Sequence, residues 1–194
     1  MLLIGSLFTV TILTASLALA AGTYNRLVTL KEDATAGKKN IDVELDRRAK
    51  ILDSLGTAAK RYLQHEHDTF KQVAEMRSGA LKARQAGDDA EQARLESGIS
   101  RMLPAIRVTM EANPELHGDA TISRLMEEVT STENRLGFAK SFYNGAARTF
   151  NETRKQFPTV FFVNTFFPTF RQDLAYWEVD EAVRTQLEAT RLSM

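Results

Sequence analysis

Residues 41–55 read IDVELDRRAKILDSL, and this stretch decides the fold. Its apolar residues recur in steps of three and four, with Arg48 on or beside the same stripe. Such spacing is typical of an amphipathic helix that packs on one side. The stripe extends from Leu27 to Val73, and no proline precedes Pro104. The pattern therefore predicts one long helix over about residues 24–84.

Composition limits the class of protein. The chain has 194 residues, with 25 Lys+Arg balanced by 25 Asp+Glu, so it lacks the basic excess typical of nucleic-acid binders. It contains no cysteine, which excludes disulfides and thiolate metal sites. His65 and His67 are two positions apart, so they do not share one side of a helix. We expect no catalytic residue, no metal and no cofactor.

Three further helices follow from turn signals in the second half of the chain. Glycine and aspartate at 87–89 and Asn113-Pro114 bound a helix over about 89–112. Another helix is predicted over about 120–157, before Pro158. The sequence thus predicts an all-α bundle of long antiparallel helices over 23–158. Residues 159–194 are interpreted as a Phe-rich segment followed by an amphipathic helix over about 171–191.

The first 22 residues predict a transmembrane anchor. Residues 2–22 contain no charged side chain, and as a helix they would measure ~31 Å, about one hydrocarbon core. The alternative is a cleaved signal peptide, because Ala18-Leu19-Ala20 provides an A-x-A cleavage pattern. Basic residues follow the segment and none precedes it, which favours a bundle on the cytoplasmic side of the cell membrane.

A set of short motifs in a fixed order resembles the LemA family of bacterial membrane-anchored proteins. The motifs span about residues 7–170, and the chain departs from the family pattern at Asp53-Ser54-Leu55 and in the Phe-rich segment. They are Tyr24-Asn25-Arg26-Leu27-Val28, Ile41-Asp42-Val43-Glu44-Leu45-Asp46-Arg47-Arg48, Glu133-Asn134-Arg135-Leu136, Tyr143-Asn144, Phe150-Asn151 and Phe157-Pro158.

The resemblance implies one membrane helix, an all-helical bundle and no settled activity, and one branch of the family is linked to magnetosome membranes. Together with the residues it predicts a non-enzymatic scaffold or interaction module at the membrane. The alternative is a tethered accessory or regulatory factor of an envelope protease or sensor system. Expected partners are the lipid bilayer through residues 2–22, a protein that the sequence does not identify and a second copy of the chain. Nucleic acid is not among them.

Two pairs of polar residues lie on predicted packed faces. Arg48 and Glu133 each sit on or beside an apolar stripe, where an unpaired charge is costly, so we predict an ion pair between the first and third long helices. Asn144 and Asn151 are seven residues apart on one helix side. They predict either control of helix register or a polar binding groove.

The Phe-rich segment is the candidate interaction surface. Five phenylalanines fall within residues 161–170, and no Lys or Arg lies between Gln156 and Arg171. The rings either cap the bundle or touch lipid or a partner, since contiguous exposed aromatic residues mark interaction sites. The lack of basic residues argues against binding of anionic lipid by this segment itself. The candidates are Phe161, Phe162, Phe166 and Phe167.

Overall fold

The computed structural model describes residues 2–60, 62 and 68–177, and within them the chain is helical with no strand. The predicted all-α fold is confirmed. The helices are α1 (Leu2–Ala59), α2 (Asp68–Ala86), α3 (Asp89–Glu111), α4 (Pro114–His117), α5 (Ala120–Lys155) and α6 (Thr159–Thr165), followed by a short 3-10 turn at Pro168–Phe170.

The chain divides into two compact units. Unit 1 comprises Met1–Lys38 and Ser141–Tyr176, and unit 2 comprises Lys39–Lys140 and Trp177–Met194. Helices α1 and α5 contribute residues to both units, whereas α2, α3 and α4 belong to unit 2.

In unit 2, ion pairs show that α2 runs antiparallel to α1. Arg77 of α2 pairs with Asp53, and Arg84, two turns later, pairs with Asp46 at 2.8 Å between Nη1 and Oδ1. The partners move backwards along α1 as the chain moves forwards along α2. Two antiparallel helices can bury their apolar stripes against each other over their full length.

The other two long helices of unit 2 also alternate in direction. Ser100 of α3 contacts Glu133 of α5, and Arg107, further along α3, reaches back to Thr130 at 3.4 Å. Helix α5 begins where Asp119 accepts hydrogen bonds from the backbone N–H groups of Thr121 and Ile122. The helices of unit 2 enclose a core that contains Leu52, Leu55, Val73, Ile99, Ile106, Leu116, Ile122, Met126 and Val129.

Unit 1 is built around a pair of helix segments and a short aromatic return. Leu27 of α1 packs in one buried cluster with Phe150 of α5, Val163 of α6 and Phe170. Gly37 permits a close approach of α1 and α5, because a Cβ there would lie 3.0 Å from the Tyr143 Cα atom. The segment after α5 thus folds back onto the same helix pair.

The structure corrects the prediction of one helix over about 24–84. The chain instead forms α1, which ends at Ala59, and α2, which begins at Asp68. The reversal lets Val73 of α2 pack in the same core as Leu55 and Ala59 of α1. Helical periodicity continues through both segments, so the apolar pattern alone does not reveal the turn. The prediction over about 89–112 matches α3 closely.

The predicted helix over about 171–191 is not present where the structure describes it. Residues 171–177 are not helical, and 178–191 lie outside the described residues, as do His65 and His67. The reason is that the backbone of Leu174 and the carbonyl of Arg171 bond side chains of α5 instead of their own helix neighbours. The predicted helix over about 120–157 corresponds to α5, and α6 follows it.

The segment 2–22, predicted as a transmembrane anchor, is the first part of α1. Within the part of the chain that the structure describes, no helix has the length and apolar character needed to cross a membrane.

Candidate functional site

The structure brings Arg48 and Glu133 together in the middle of unit 2. Arg48 is 1% exposed, and its Nη1 donates to the Glu133 Oε1 at 2.5 Å and to the Ser100 Oγ at 2.7 Å. Its Nη2 donates to the Glu96 carboxylate and, at 3.1 Å, to the Glu96 carbonyl oxygen. Ser100 donates in turn to the second Glu133 oxygen at 2.9 Å. We call these four residues the Arg48 cluster.

The Arg48 cluster joins three helices, because its members come from α1, α3 and α5. A guanidinium removed from water is tolerated only when its donors are satisfied and its charge is compensated. Two carboxylates do this here, and they remain bound to the guanidinium and to Ser100. The arrangement therefore pairs Arg48 of α1 with one carboxylate from α3 and one from α5.

Glu96 is not among the residues predicted from the sequence, although its position carries a signal. Gln92, Glu96 and Ile99 lie on one helical side in steps of four and three, and the structure buries all three. Two polar residues on the buried side of α3 indicate a partner charge from a neighbouring helix. Arg48 is that partner, and Glu96 is 8% exposed whereas the Glu133 side chain is 24% exposed.

Asn151 binds a backbone segment and not another helix. Its Oδ1 accepts from the Leu174 N–H at 2.8 Å and its Nδ2 donates to the Leu174 carbonyl at 2.9 Å. The amide thus satisfies both backbone groups of one residue, as a paired strand would. Asn144 is half-buried one heptad earlier on α5 and makes neither of these bonds.

Charged residues hold the same segment next to Asn151. Arg154 pairs with Asp173 and also donates to the Arg171 carbonyl at 2.7 Å, and Lys155 donates to Asp173 at 2.7 Å. The hydrogen bonds from Lys155 and then Arg154 hold the pKa of the Asp173 carboxyl below its ordinary value of 3.8. We call residues 171–176 the C-terminal strap of unit 1.

The four candidate phenylalanines fall into two groups. Phe162 is buried and Phe167 is half-buried, and Phe167 packs edge-on against Tyr24 of α1 with ring centroids 5.2 Å apart. Phe161 and Phe166 are 57% and 60% exposed and contact each other at 6.4 Å. Phe167 therefore attaches the segment to α1, Phe162 is buried, and Phe161 and Phe166 form an exposed surface.

Apolar side chains are also exposed along the first part of α1. The exposed fractions are 70% for Leu7, 68% for Leu13 and 72% for Leu17. Among the described residues, no group of three or more His, Cys, Asp or Glu side chains is placed to hold a metal ion. The exposed apolar side chains of the first part of α1 and the exposed pair Phe161 and Phe166 all belong to unit 1.

We predict that removing Arg48 destabilises the protein strongly. Arg48→Met leaves two carboxylates facing each other in the core, and such an orphaned buried charge costs about 3–5 kcal/mol. Glu133→Gln should cost less, since Arg48 keeps Glu96. The double variant should lose less than the two single losses combined. Denaturant unfolding followed by circular dichroism measures these effects.

Arg47→Met is the matched control for Arg48→Met. Arg47 is adjacent and exposed, so its loss should change the unfolding free energy by less than about 0.5 kcal/mol. Strictly additive losses for Arg48→Met and Glu133→Gln would show that the contact contributes nothing.

We predict that Asn151→Leu releases the C-terminal strap. The variant leaves the Leu174 N–H and carbonyl without the Asn151 partner, at a cost of about 1–3 kcal/mol, which raises the open population roughly 5- to 150-fold. Trypsin should cut after Arg171 correspondingly faster, as mass spectrometry can measure. Asn164→Leu, at an exposed position, should leave cleavage unchanged. Equal cleavage of both variants would contradict the role of Asn151.

We predict that acid weakens the C-terminal strap. Because the folded-state pKa of Asp173 lies below 3.8, its bonds stabilise the strap above that pH and are lost as pH falls through the lower folded value. Trp177, the only tryptophan, follows the strap, so its emission should shift to longer wavelength below pH 3.8. Asp173→Asn should show the shifted emission already at neutral pH; identical pH profiles would exclude this titration.

Known proteins resemble this chain over most of its length. The MamQ 2 magnetosome protein of Paramagnetospirillum magneticum (strain AMB-1) is 24% identical over 151 residues, which cover 66% of this chain and 56% of the relative. The MamQ magnetosome protein of Magnetospirillum gryphiswaldense (strain MSR-1) is 23% identical over 158 residues, covering 70% and 58%. The chain spans little more than half the length of these curated relatives.

A family model matches most of the chain as well. It describes the LemA family and matches residues 37–189, which include the whole Arg48 cluster. The resemblance stated from the sequence motifs is confirmed: this chain belongs to the LemA family.

Proposed function

We propose that this LemA-family chain is attached to a membrane through residues 2–22 and acts there as a non-enzymatic scaffold or interaction module. The observation that carries the proposal is the exposure of apolar side chains along the first part of α1, where Leu7, Leu13 and Leu17 are each about two-thirds exposed or more. A single crossing of the bilayer is the finer form of the proposal, which the uncharged sequence favours.

The exposed side chains lie on more than one side of the helix. Leu13 and Leu19 are six residues apart, so at 100° per residue they point in well-separated directions, and Leu19 is 57% exposed. A single partner face covers one stripe of a helix, whereas an apolar phase covers all sides. The distribution therefore supports contact with lipid.

The polar side chains of the same segment are bonded within their own helix. The Thr11 hydroxyl donates to the Leu7 carbonyl at 2.9 Å, and the Thr14 hydroxyl donates to the Val10 carbonyl at 3.0 Å. Polar groups in hydrocarbon need such internal partners because lipid offers none. Both threonines are thus compatible with an apolar surrounding.

Exposed apolar groups concentrate in unit 1. Among the described residues, twelve of the sixteen exposed large apolar side chains belong to this unit. In unit 2 the charged cluster of Arg48 is satisfied internally and serves packing. This distribution supports a role in attachment and assembly over a role in catalysis.

We predict that charges within residues 2–22 detach the protein. An aspartate near the centre of a membrane helix costs about 2.5–3.5 kcal/mol, so Leu13→Asp combined with Leu17→Asp should lower membrane retention by well over tenfold. Carbonate extraction and flotation of the full chain measure retention. Crosslinking from intact membranes then identifies the proteins that the scaffold holds.

Val43→Asp is the control for this experiment. Val43 lies on the same helix and is 63% exposed, but it belongs to unit 2, so its change should leave retention unaffected. If the unmodified chain is fully extracted by carbonate, the single crossing fails. Flotation that is unchanged by the two aspartates would exclude residues 2–22 as the attachment segment.

A further inference from the structure

We infer that Phe161 and Phe166 form a second membrane contact, which lies in the interfacial layer of the bilayer next to the end of the attachment segment. The inference rests on the proposed function and assigns an occupant to the exposed aromatic surface of unit 1. Both rings are more than half exposed and contact each other. Exposed phenylalanines suit the boundary between headgroups and acyl chains, where interfacial helices bury their Trp, Phe and Leu side chains.

A series of ring contacts connects the exposed phenylalanines to α1 just after residues 2–22. Phe166 contacts Phe162 at 6.4 Å, Phe162 stacks on Phe167 at 6.4 Å, and Phe167 packs on Tyr24 at 5.2 Å. Tyr24 lies two residues after the attachment segment 2–22, or ~3 Å along the helix axis. If residues 2–22 lie in a membrane, only the rings of Tyr24, Phe167 and Phe162 separate the end of this segment from Phe166.

The two segments of the chain that meet at the Tyr24–Phe167 contact carry no charged side chain. Residues 2–25 and 157–170 contain no Asp, Glu, Lys or Arg, and they are the two runs that the Tyr24–Phe167 contact joins. Burying the side chains of these two runs in lipid therefore desolvates no charged group of their own, which lowers the cost of membrane contact. A protein interface of similar size would ordinarily include charged residues at its rim.

Cations border the two uncharged runs: the Arg171 Nη2 donates to the Asn164 carbonyl at 2.5 Å. The Phe-rich segment has none of its own, but Arg26 follows Tyr24 by two residues and Lys31 places its Nζ 5.7 Å from the Phe170 ring centroid. Basic residues directly beyond an apolar membrane segment face lipid headgroups. Arg171 and the cations of α1 thus border the two runs, whereas residues 157–170 contain no cation of their own.

Site-directed spin labelling tests the inference, since the chain has no cysteine and each variant therefore carries a single thiol. Phe161→Cys and Phe166→Cys are labelled with a nitroxide in the full chain, reconstituted in vesicles of phosphatidylcholine and phosphatidylglycerol. The labels should lose accessibility to a water-soluble nickel reagent and gain accessibility to oxygen. Val108→Cys is the control, because Val108 is 63% exposed and belongs to unit 2.

The outcomes separate this inference from the proposed function. If the chain floats with the vesicles but labels at 161 and 166 behave as the label at 108 does, the second contact is refuted while attachment stands. Spectral broadening by a nearby label would assign the surface to a second copy of the chain and refute it too. If the chain does not float, both proposals fail. The two positions are independent, so one variant that misfolds, as judged by circular dichroism, leaves the other decisive.

Discussion

A single buried guanidinium constrains the packing of unit 2. Arg48 lies on the same helical side as Leu45 and Leu52, so it enters the core whenever α1 packs by its apolar stripe. Once there, it requires carboxylates, and they come from Glu96 on α3 and Glu133 on α5. A shift of either helix by one turn would leave charges unpaired. Hydrophobic packing alone tolerates such shifts, and we infer that the ion cluster selects one register.

The sequence predicts the long helices, but it does not reveal the reversal between α1 and α2. Periodicity predicts helix type well, and it gives α3 and α5 nearly at their bounds. It fails between α1 and α2, because both helices present the same spacing and no proline interrupts them. The structure resolves the ambiguity with charge: the pairs Arg77–Asp53 and Arg84–Asp46 are both symmetric about position 65, as an antiparallel pair requires.

The residues of the candidate site could be predicted from the sequence where a charged residue lies on an apolar stripe. They could not be predicted where the hydrogen-bond partner is a backbone group. Arg48 and Glu133 carry that signal, and Glu96 carries it too. Asn151 was singled out as a polar group on a packed face, but its partner is the Leu174 main chain. A backbone N–H or carbonyl has no identity in the sequence, so a side chain that binds one predicts burial and a hydrogen bond without revealing where the bond goes.

The sequence also could not distinguish which of the four candidate phenylalanines are buried and which are exposed. All four candidates are chemically identical and lie in one uncharged run. Their surroundings differ in the structure: Phe167 contacts Tyr24 and Phe162 is buried, whereas Phe161 and Phe166 are exposed. That contact joins two apolar runs more than a hundred residues apart in the chain. Unit 1 therefore joins two uncharged runs of the chain, and the proposed lipid contact rests on that junction and not on either run alone.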